Sequence, residues 1–496
     1  MKIVYKILMC LPLIAFLSSC TSDALEVEPT SIITAESFWK TEDDVQGALT
    51  GMYALLRNVA DEELYFMGEA RSEMLVRGTL GTGGWERFYL NTLNSDNAGI
   101  DWQQFYTIIN AANLVIKYAP DIPFSSESAK NKALAEAYTM RAYVYFAMVR
   151  TWGGVPLRTE PMEGFNAEET QLERASAEAV FTLVKEDIDK AVQLFPDNSF
   201  PQCRCKWSQP AANSLKGNVY LWTGKVRDGV ESDFSTALDA LNEVQEANVT
   251  LLNDFADVFD PENEGNPEII MAVKFEEFES GDNYVHDMYI NNASISPFIP
   301  QRTRDIIGNP GTGLTIVQLA EPVRKEFSEE DARRDATFLE VYQYDNEQQT
   351  DSSYVLTIAQ KNIGPLTSSG ARSFQGDIIL YRYADVLLMI AEAKNALGQD
   401  PSTEINMVRE RAYRDDFDDH VFVSGSKEEN DEAILTERLL ELALEGKRWW
   451  DLIRFGKAFD LVPTLQDRKG EDYLLLFPIP QDVLSLEPRV EQNPGY

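Results

Sequence analysis

The sequence predicts an all-α protein, a scaffold of helical hairpins that carries a large, irregular, loop-rich face. Three observations predict it. Apolar residues recur with a helical period of 3.6 through several long segments. In the most apolar of these, small residues alternate with large ones, as closely packed antiparallel helices require. Between the periodic segments lie a glycine-dense stretch, 68–99, and a long insertion, 254–365, where that period is lost.

Taken in order, the chain begins with a basic pair, Lys2 and Lys6, a short apolar run from Ile7 to Leu17, and then Leu17-Ser18-Ser19-Cys20. The run is too short to span a bilayer, so residues 1–19 read as a signal peptide. The leucine, two small residues and cysteine resemble a bacterial lipobox, which makes Cys20 the lipidated first residue of the mature chain. Several acyl chains on one residue anchor firmly, at roughly 0.8 kcal/mol per buried CH₂. Beyond Cys20 nothing is apolar for long enough to cross a membrane, so contact with the membrane is expected through the lipid only. An N-terminal half, 20–250, and a C-terminal half, 251–496, are expected to pack as one globular unit.

A short acidic linker, 23–28, leads to a helix over 42–58 with Val45, Leu49, Met52, Tyr53 and Leu56 inward. The stretch 68–99 reads as a loop bearing Trp85, Phe88 and Tyr89. Helices follow over 102–118, 128–151, 176–195 and 208–224, each ended by proline, glycine or a polar cluster. The second holds Ala133, Ala137, Ala142, Tyr143, Tyr145, Phe146 and Ala147 and closes on Trp152-Gly-Gly-Val-Pro156, which resembles a tetratricopeptide pattern without its strict 34-residue period. Helices over 234–247, 376–397 and 403–413 complete the tetratricopeptide-like hairpins. In the insertion, 268–275 reads as a strand, and Asn283, Tyr284, Tyr289, Phe298 and Arg302 follow in polar surroundings. Flat rings with amides and arginine suit sugar recognition.

Near the end, Glu437, Glu441 and Glu445 form a row at i, i+4 spacing beside an apolar stripe, followed by Trp449 and Trp450. Three like charges in a row repel by a few tenths of a kcal/mol per pair on a free helix. Arginines are the expected partners, and Arg382, Arg409, Arg411, Arg438 and Arg448 supply them. The two adjacent tryptophans cannot share one helix face, so at least one should pack between elements.

Composition excludes several functions. The formal charge is −37 over 496 residues, and losing Lys2 and Lys6 makes the mature chain more acidic still. Such a field repels phosphate backbones, so no nucleic acid is expected as a partner. The only histidines are His286 and His420, which argues against Ser-His-Asp or Cys-His catalysis and against zinc sites built on histidine pairs. A glycosidase with two carboxylates needs no histidine. Of four cysteines, Cys10 leaves with the signal and Cys20 carries lipid. Cys203 and Cys205 are too close in sequence for an easy bridge. The run Asp260-x-Glu262-x-Glu264-Gly265 imitates the start of a calcium loop, but its twelfth position is Met271 where a bidentate Glu is required. No cofactor and no metal are expected.

One family shows these marks in this order: the lipobox at Cys20, Glu36-Ser-Phe-Trp39 leading to Gly51-Met-Tyr53, and Tyr106-x-x-Ile109-x-x-Ala112-Asn113. Ala135-Glu136 with Arg141-Ala-Tyr143 and Asn266-Pro-Glu268-Ile-Ile270 come next. Then follow Asp331-x-Arg333-Arg334, Tyr381-Arg382-Tyr-Ala-Asp385 with Ala391-Glu392-Ala393, and Val408-Arg409-x-Arg411-Ala412. Glu437 through Arg454, Phe477-Pro-Ile-Pro480 and Gln492-Asn-Pro-Gly-Tyr496 close the series. The chain resembles a SusD/RagB-family outer-membrane lipoprotein of the Bacteroidetes type. The resemblance implies a tetratricopeptide-like fold and a non-enzymatic subunit that captures an oligosaccharide for a SusC-like TonB-dependent transporter. In the RagB branch it implies a peptide instead. It also implies a lipoprotein facing the cell exterior and ligand contacts on the loop-rich face. The expected contacts are Trp85, Tyr89, Tyr284, Tyr289 and Phe298 for stacking, with Asn283 and Arg302 as polar partners. That choice rests on aromatic residues in loops. Trp102, Trp152, Trp222 and Trp449, in helical marks, are expected to be structural.

Overall fold

The computed structural model describes residues 38–496 except 82, 165–170, 228, 277–278, 292–293 and 309–311. The signal segment and Cys20 therefore lie outside the described residues. The helical frame comprises α1 (Glu42–Ala60), α2 (Gln103–Tyr118), α3 (Glu127–Trp152), α4 (Ala177–Leu194), α5 (Gln209–Val226), α6 (Glu231–Gln245), α7 (Tyr383–Ala396), α8 (Ser402–Tyr413), α9 (Lys427–Leu442) and α10 (Arg448–Arg454). Each of α1 to α7 packs on the next, and α7 carries α8 and α9. Short side chains fix the starts. Ser126, Ser176 and Ser208 each accept the amide three residues on, while Thr41 with Asp44 and Ser426 with Glu429 form capping boxes.

Helix α3 lies at the centre, with every residue from Ala135 to Trp152 buried. A helix apolar on all sides has no solvent face to offer, and its polar members must pair inside. Arg141 does so with Asp187 at 2.7 Å and Glu136 accepts from Tyr53 at 2.8 Å. Gly217 lets α5 and α6 approach, because an added Cβ would lie 2.4 Å from the Leu241 side chain. One apolar core runs from Val45 to Val490 and takes in Trp102, Trp152, Trp222 and Trp449, as expected for structural tryptophans.

Three two-stranded antiparallel sheets carry the rest: β1 (Leu75–Arg77) with β3 (Val317–Leu319), β2 (Ile269–Val273) with β6 (Ile378–Arg382), and β4 (Phe338–Tyr344) with β5 (Ser352–Ala359). The strand expected over 268–275 is β2, where Met271 is fully buried. The helix expected from 376 is instead β6 followed by α7. A short buried apolar run reads alike as strand or helix, and the hydrogen bonds offered by β2 decide it. The expected difficulty of bridging Cys203 and Cys205 is also overturned. They form a disulfide with Cα atoms 5.1 Å apart, around Arg204 at φ +48°.

The carboxylate row does not ride on one helix. α9 stops at Leu442, and Leu444 and Gly446 take positive φ before α10 begins. Buried Glu69 holds this turn, accepting the amides of Leu444, Lys447 and Arg448 at 2.8–3.0 Å. All three row members meet cations. Glu437 pairs with Arg333 at 2.6 Å and Arg409 at 2.7 Å. Glu441 meets Arg382 at 2.5 Å, Arg333 at 3.3 Å and Arg411. Glu445 takes Arg382 and Lys361, each at 2.8 Å. Glu268 joins through Arg382 and Arg411. Two expected partners go elsewhere: Arg438 binds Asp385 and Asp451, and Arg448 binds Glu73. Trp449 lies under the Arg71 guanidinium and Trp450 against Trp222, so both pack between elements.

Candidate ligand-binding face

The two stretches singled out as loops come together. Gly78 N donates to Ile316 O at 2.7 Å, and the Thr79 and Ser294 hydroxyls lie 3.1 Å apart. β5 runs alongside β3, which joins the β4–β5 hairpin to this surface, and Tyr344 N donates to Phe298 O at 3.0 Å.

The hairpin presents a pair of rings. Its register shifts between Val341↔Leu356 and Tyr342↔Tyr354, which leaves Val355 as an extra residue. Such a bulge re-aims the side chains beyond it. Val341 and Leu356 stay in the core, while Tyr342 and Tyr354 stand opposite each other at 42% and 40% exposure, ring centroids 5.9 Å apart and planes at 73°. Exposed aromatic rings of this kind are not spared from water by the fold, and they offer apolar faces to a flat ligand. Their edges are polar. The Tyr354 hydroxyl donates to Gln318 Oε1 and meets Thr357 Oγ1, both at 2.8 Å, and Gln318 Nε2 donates to Arg77 O. The Arg324 guanidinium lies 5.0 Å from the Tyr354 ring and is fixed by Glu340 at 2.9 Å. Val76, opposite Gln318, and Phe298 at 41% extend the apolar surface.

Of the seven expected contact residues, four are core residues. Trp85 packs on Tyr65 and Phe66 and donates to Asp287 at 2.9 Å. Tyr284 stacks on Tyr65 at 4.1 Å and donates to Leu444 O. Tyr289 is fully buried against Phe374. Asn283 caps the turn Tyr284–Met288 and donates to Asn362 O and Gly376 O. A ring without an accessible face offers no platform, so burial corrects the assignment for these four. Phe298 and Arg302 are exposed and Tyr89 is half-buried. Sequence reasoning missed Tyr342, Tyr354, Gln318 and Arg324. The signal was there: two runs rich in aromatic and β-branched residues, 338–344 and 352–359, flank a polar turn.

Among the described residues no group of three or more His, Cys, Asp or Glu is placed to hold a metal ion, and no helix is long and apolar enough to cross a membrane.

Comparison with known proteins gives matches along nearly the whole chain. Residues 340–473 match a family model described as the SusD family, and residues 23–221 match one described as starch-binding associating with outer membrane. The structure is similar to that of NanU from B. fragilis, at 35% identity and TM-score 0.81, covering 95% of this chain and 100% of that one. A SusD superfamily protein from Bacteroides vulgatus is 31% identical with TM-score 0.82, over 92% and 100% of the two chains. The SusD-like protein P38 of Formosa agariphila is 29% identical across 97% of this chain and 96% of its own.

Proposed function

The chain belongs to the SusD family, whose members are non-catalytic binding proteins associated with the outer membrane, and from that premise we propose that it captures an oligosaccharide on the Tyr342/Tyr354 face. The observation that carries this reading is the solvent-exposed tyrosine pair with its fixed polar edge. A pyranose ring stacks on one tyrosine while Gln318, Arg324 and the tyrosine hydroxyls bond its own hydroxyls. Tyr89, Phe298 and Arg302 border the same loops and extend the surface for a longer chain. The ligand is then handed to a SusC-like TonB-dependent transporter. A lipid tether at Cys20 keeps the body near that transporter at high effective concentration. Contacts limited to one open face keep affinity modest and allow release.

Calorimetry on the mature protein with a panel of neutral oligosaccharides and a panel of peptides tests the proposal. Binding to a glycan is expected, and Tyr342→Ala combined with Tyr354→Ala should weaken it at least tenfold, about 1.4 kcal/mol. Unchanged affinity in the double variant would move the site elsewhere. Peptide binding with silence across all glycans would replace the sugar with a peptide.

A further inference from the structure

Arg150 of α3 differs from the other buried arginines described. Arg333, Arg382, Arg411, Arg438 and Arg454 meet carboxylates. Arg71, which has none, gives each of its three nitrogens to a carbonyl oxygen. Arg150 is 7% exposed and uses only Nε, which donates to Phe146 O at 3.2 Å. Its guanidinium lies 3.8 Å from the Phe146 ring and 4.4 Å from Trp450. Among the described residues its two terminal nitrogens have no hydrogen-bond acceptor. Asp451 is near enough to influence it but is already held by Arg438 and Arg454 at 2.9 Å each.

A cavity of about 60 Å³ opens beside it, bounded on its polar side by Arg150, Tyr143, Asn218, Tyr381, Lys447 and Glu445, whose carboxylate is neutralised by Arg382 and Lys361. Lys447 is committed to Asp385 and Leu380 O. Asn218 Nδ2 donates to the Tyr381 hydroxyl at 3.1 Å, which leaves that hydroxyl's own proton to give. The Tyr143 hydroxyl has no described partner. Against these donors stands one unpartnered buried acceptor, Asn218 Oδ1. Burial lowers the Arg150 guanidinium to about 10, which still leaves it charged at neutral pH. Water brings donors and acceptors in equal number and no charge, so it cannot balance this surplus. Aromatic faces and one carbonyl only partly compensate a buried charge that has no carboxylate paired with it. The space exceeds the 10–15 Å³ or so that one water needs and falls far short of the roughly 300 Å³ of a usual organic-ligand site.

We propose that this cavity binds a small monovalent anion of halide type, held by the Arg150 guanidinium and the Tyr143 and Tyr381 hydroxyls. The ion would tie α3 to α5, β6 and the turn before α10, the elements that line the space. It is separate from the exposed tyrosine face.

Thermal unfolding of the mature protein at constant ionic strength, with sodium gluconate replaced stepwise by sodium bromide, is the test. The midpoint should climb with bromide concentration in the unaltered protein, as binding to the folded state alone requires, and the climb should vanish in Arg150→Met. An equal response in both proteins overturns the site. If Arg150→Met does not fold, Tyr143→Phe takes its place: half-saturating bromide should rise at least threefold, and an unchanged value overturns the proposal. Bromide-soaked crystals should give an anomalous peak in the cavity, and its absence there is equally fatal.

Discussion

Glu441 accepts hydrogen bonds from Arg333, Arg382 and Arg411 with no exposure to solvent. Burial pushes its carboxyl up, but Arg411, Arg382 and Arg333 together outweigh burial and hold it well below the usual range. Such a group stabilises the fold at pH values above the ordinary glutamate value of 4.5, and that contribution is lost as pH falls below it. Glu441→Gln takes one carboxylate away from three buried cations at once, leaving Arg411 with Glu268, Arg382 with Glu268 and Glu445, and Arg333 with Asp331 and Glu437. Its expected cost is about 3–5 kcal/mol in urea unfolding, with glycan affinity of the surviving folded protein unchanged. Loss of binding without loss of stability would show that Glu441 serves the ligand instead. The ionic character of the row was legible in the sequence, and so were Arg382, Arg409 and Arg411, because charges inside apolar helices must pair. Arg333 and Lys361 were not, since only the folded insertion brings them in. Trp85 and Tyr284 were misread for a related reason: a ring in a glycine-rich or polar stretch reads the same whether it points in or out.

Among the elements, the turn after α1 concentrates acid. Burial lifts the Glu62 and Glu63 carboxyls from 4.5 to about 7, helped by Asp287 and Asp61 around the first and by Glu62 and Asp101 around the second. Burial likewise lifts Asp61 to about 6. A carboxyl that ionises later in the folded protein than in the unfolded chain binds more protons when folded. Its contribution to stability therefore declines as pH rises from about 4.5 and is fully lost near 7. Stability measured by urea midpoint should fall across that interval, and Glu62→Gln with Glu63→Gln should flatten the decline. A profile with the same slope in the double variant would assign the decline to other groups. Helices α1 to α6 and α8 were legible to within a few residues, because their helical period holds along them and Thr41, Ser126, Ser176 and Ser208 mark the starts of four. The β4–β5 hairpin left its signal in two runs flanking a polar turn, but which of its rings face outward was not legible, because that depends on a bulge that leaves no mark in composition.

For the molecule as a whole, a chain of formal charge −37 is repelled by an anionic membrane, so the lipid proposed at Cys20 would have to supply its hold there. Cys20→Ala should shift the protein from the membrane fraction to the soluble fraction and abolish incorporation of labelled palmitate. Retention in the membrane fraction would rule out the tether. Family membership was legible because many short marks occur in one order along the chain, whereas no single mark names a ligand. The buried network has one more consequence. Arg333, just before β4, is anchored to Glu437 of α9, and Lys361, just after β5, to Glu445 in the turn that follows α9. The tyrosine hairpin is thus a cassette clamped at its two ends. A hairpin that keeps the inward Phe338, Val341, Leu356 and Ile358 but carries other outward residues would dock on the same frame, so the face proposed to meet the ligand can change while the core stays as it is.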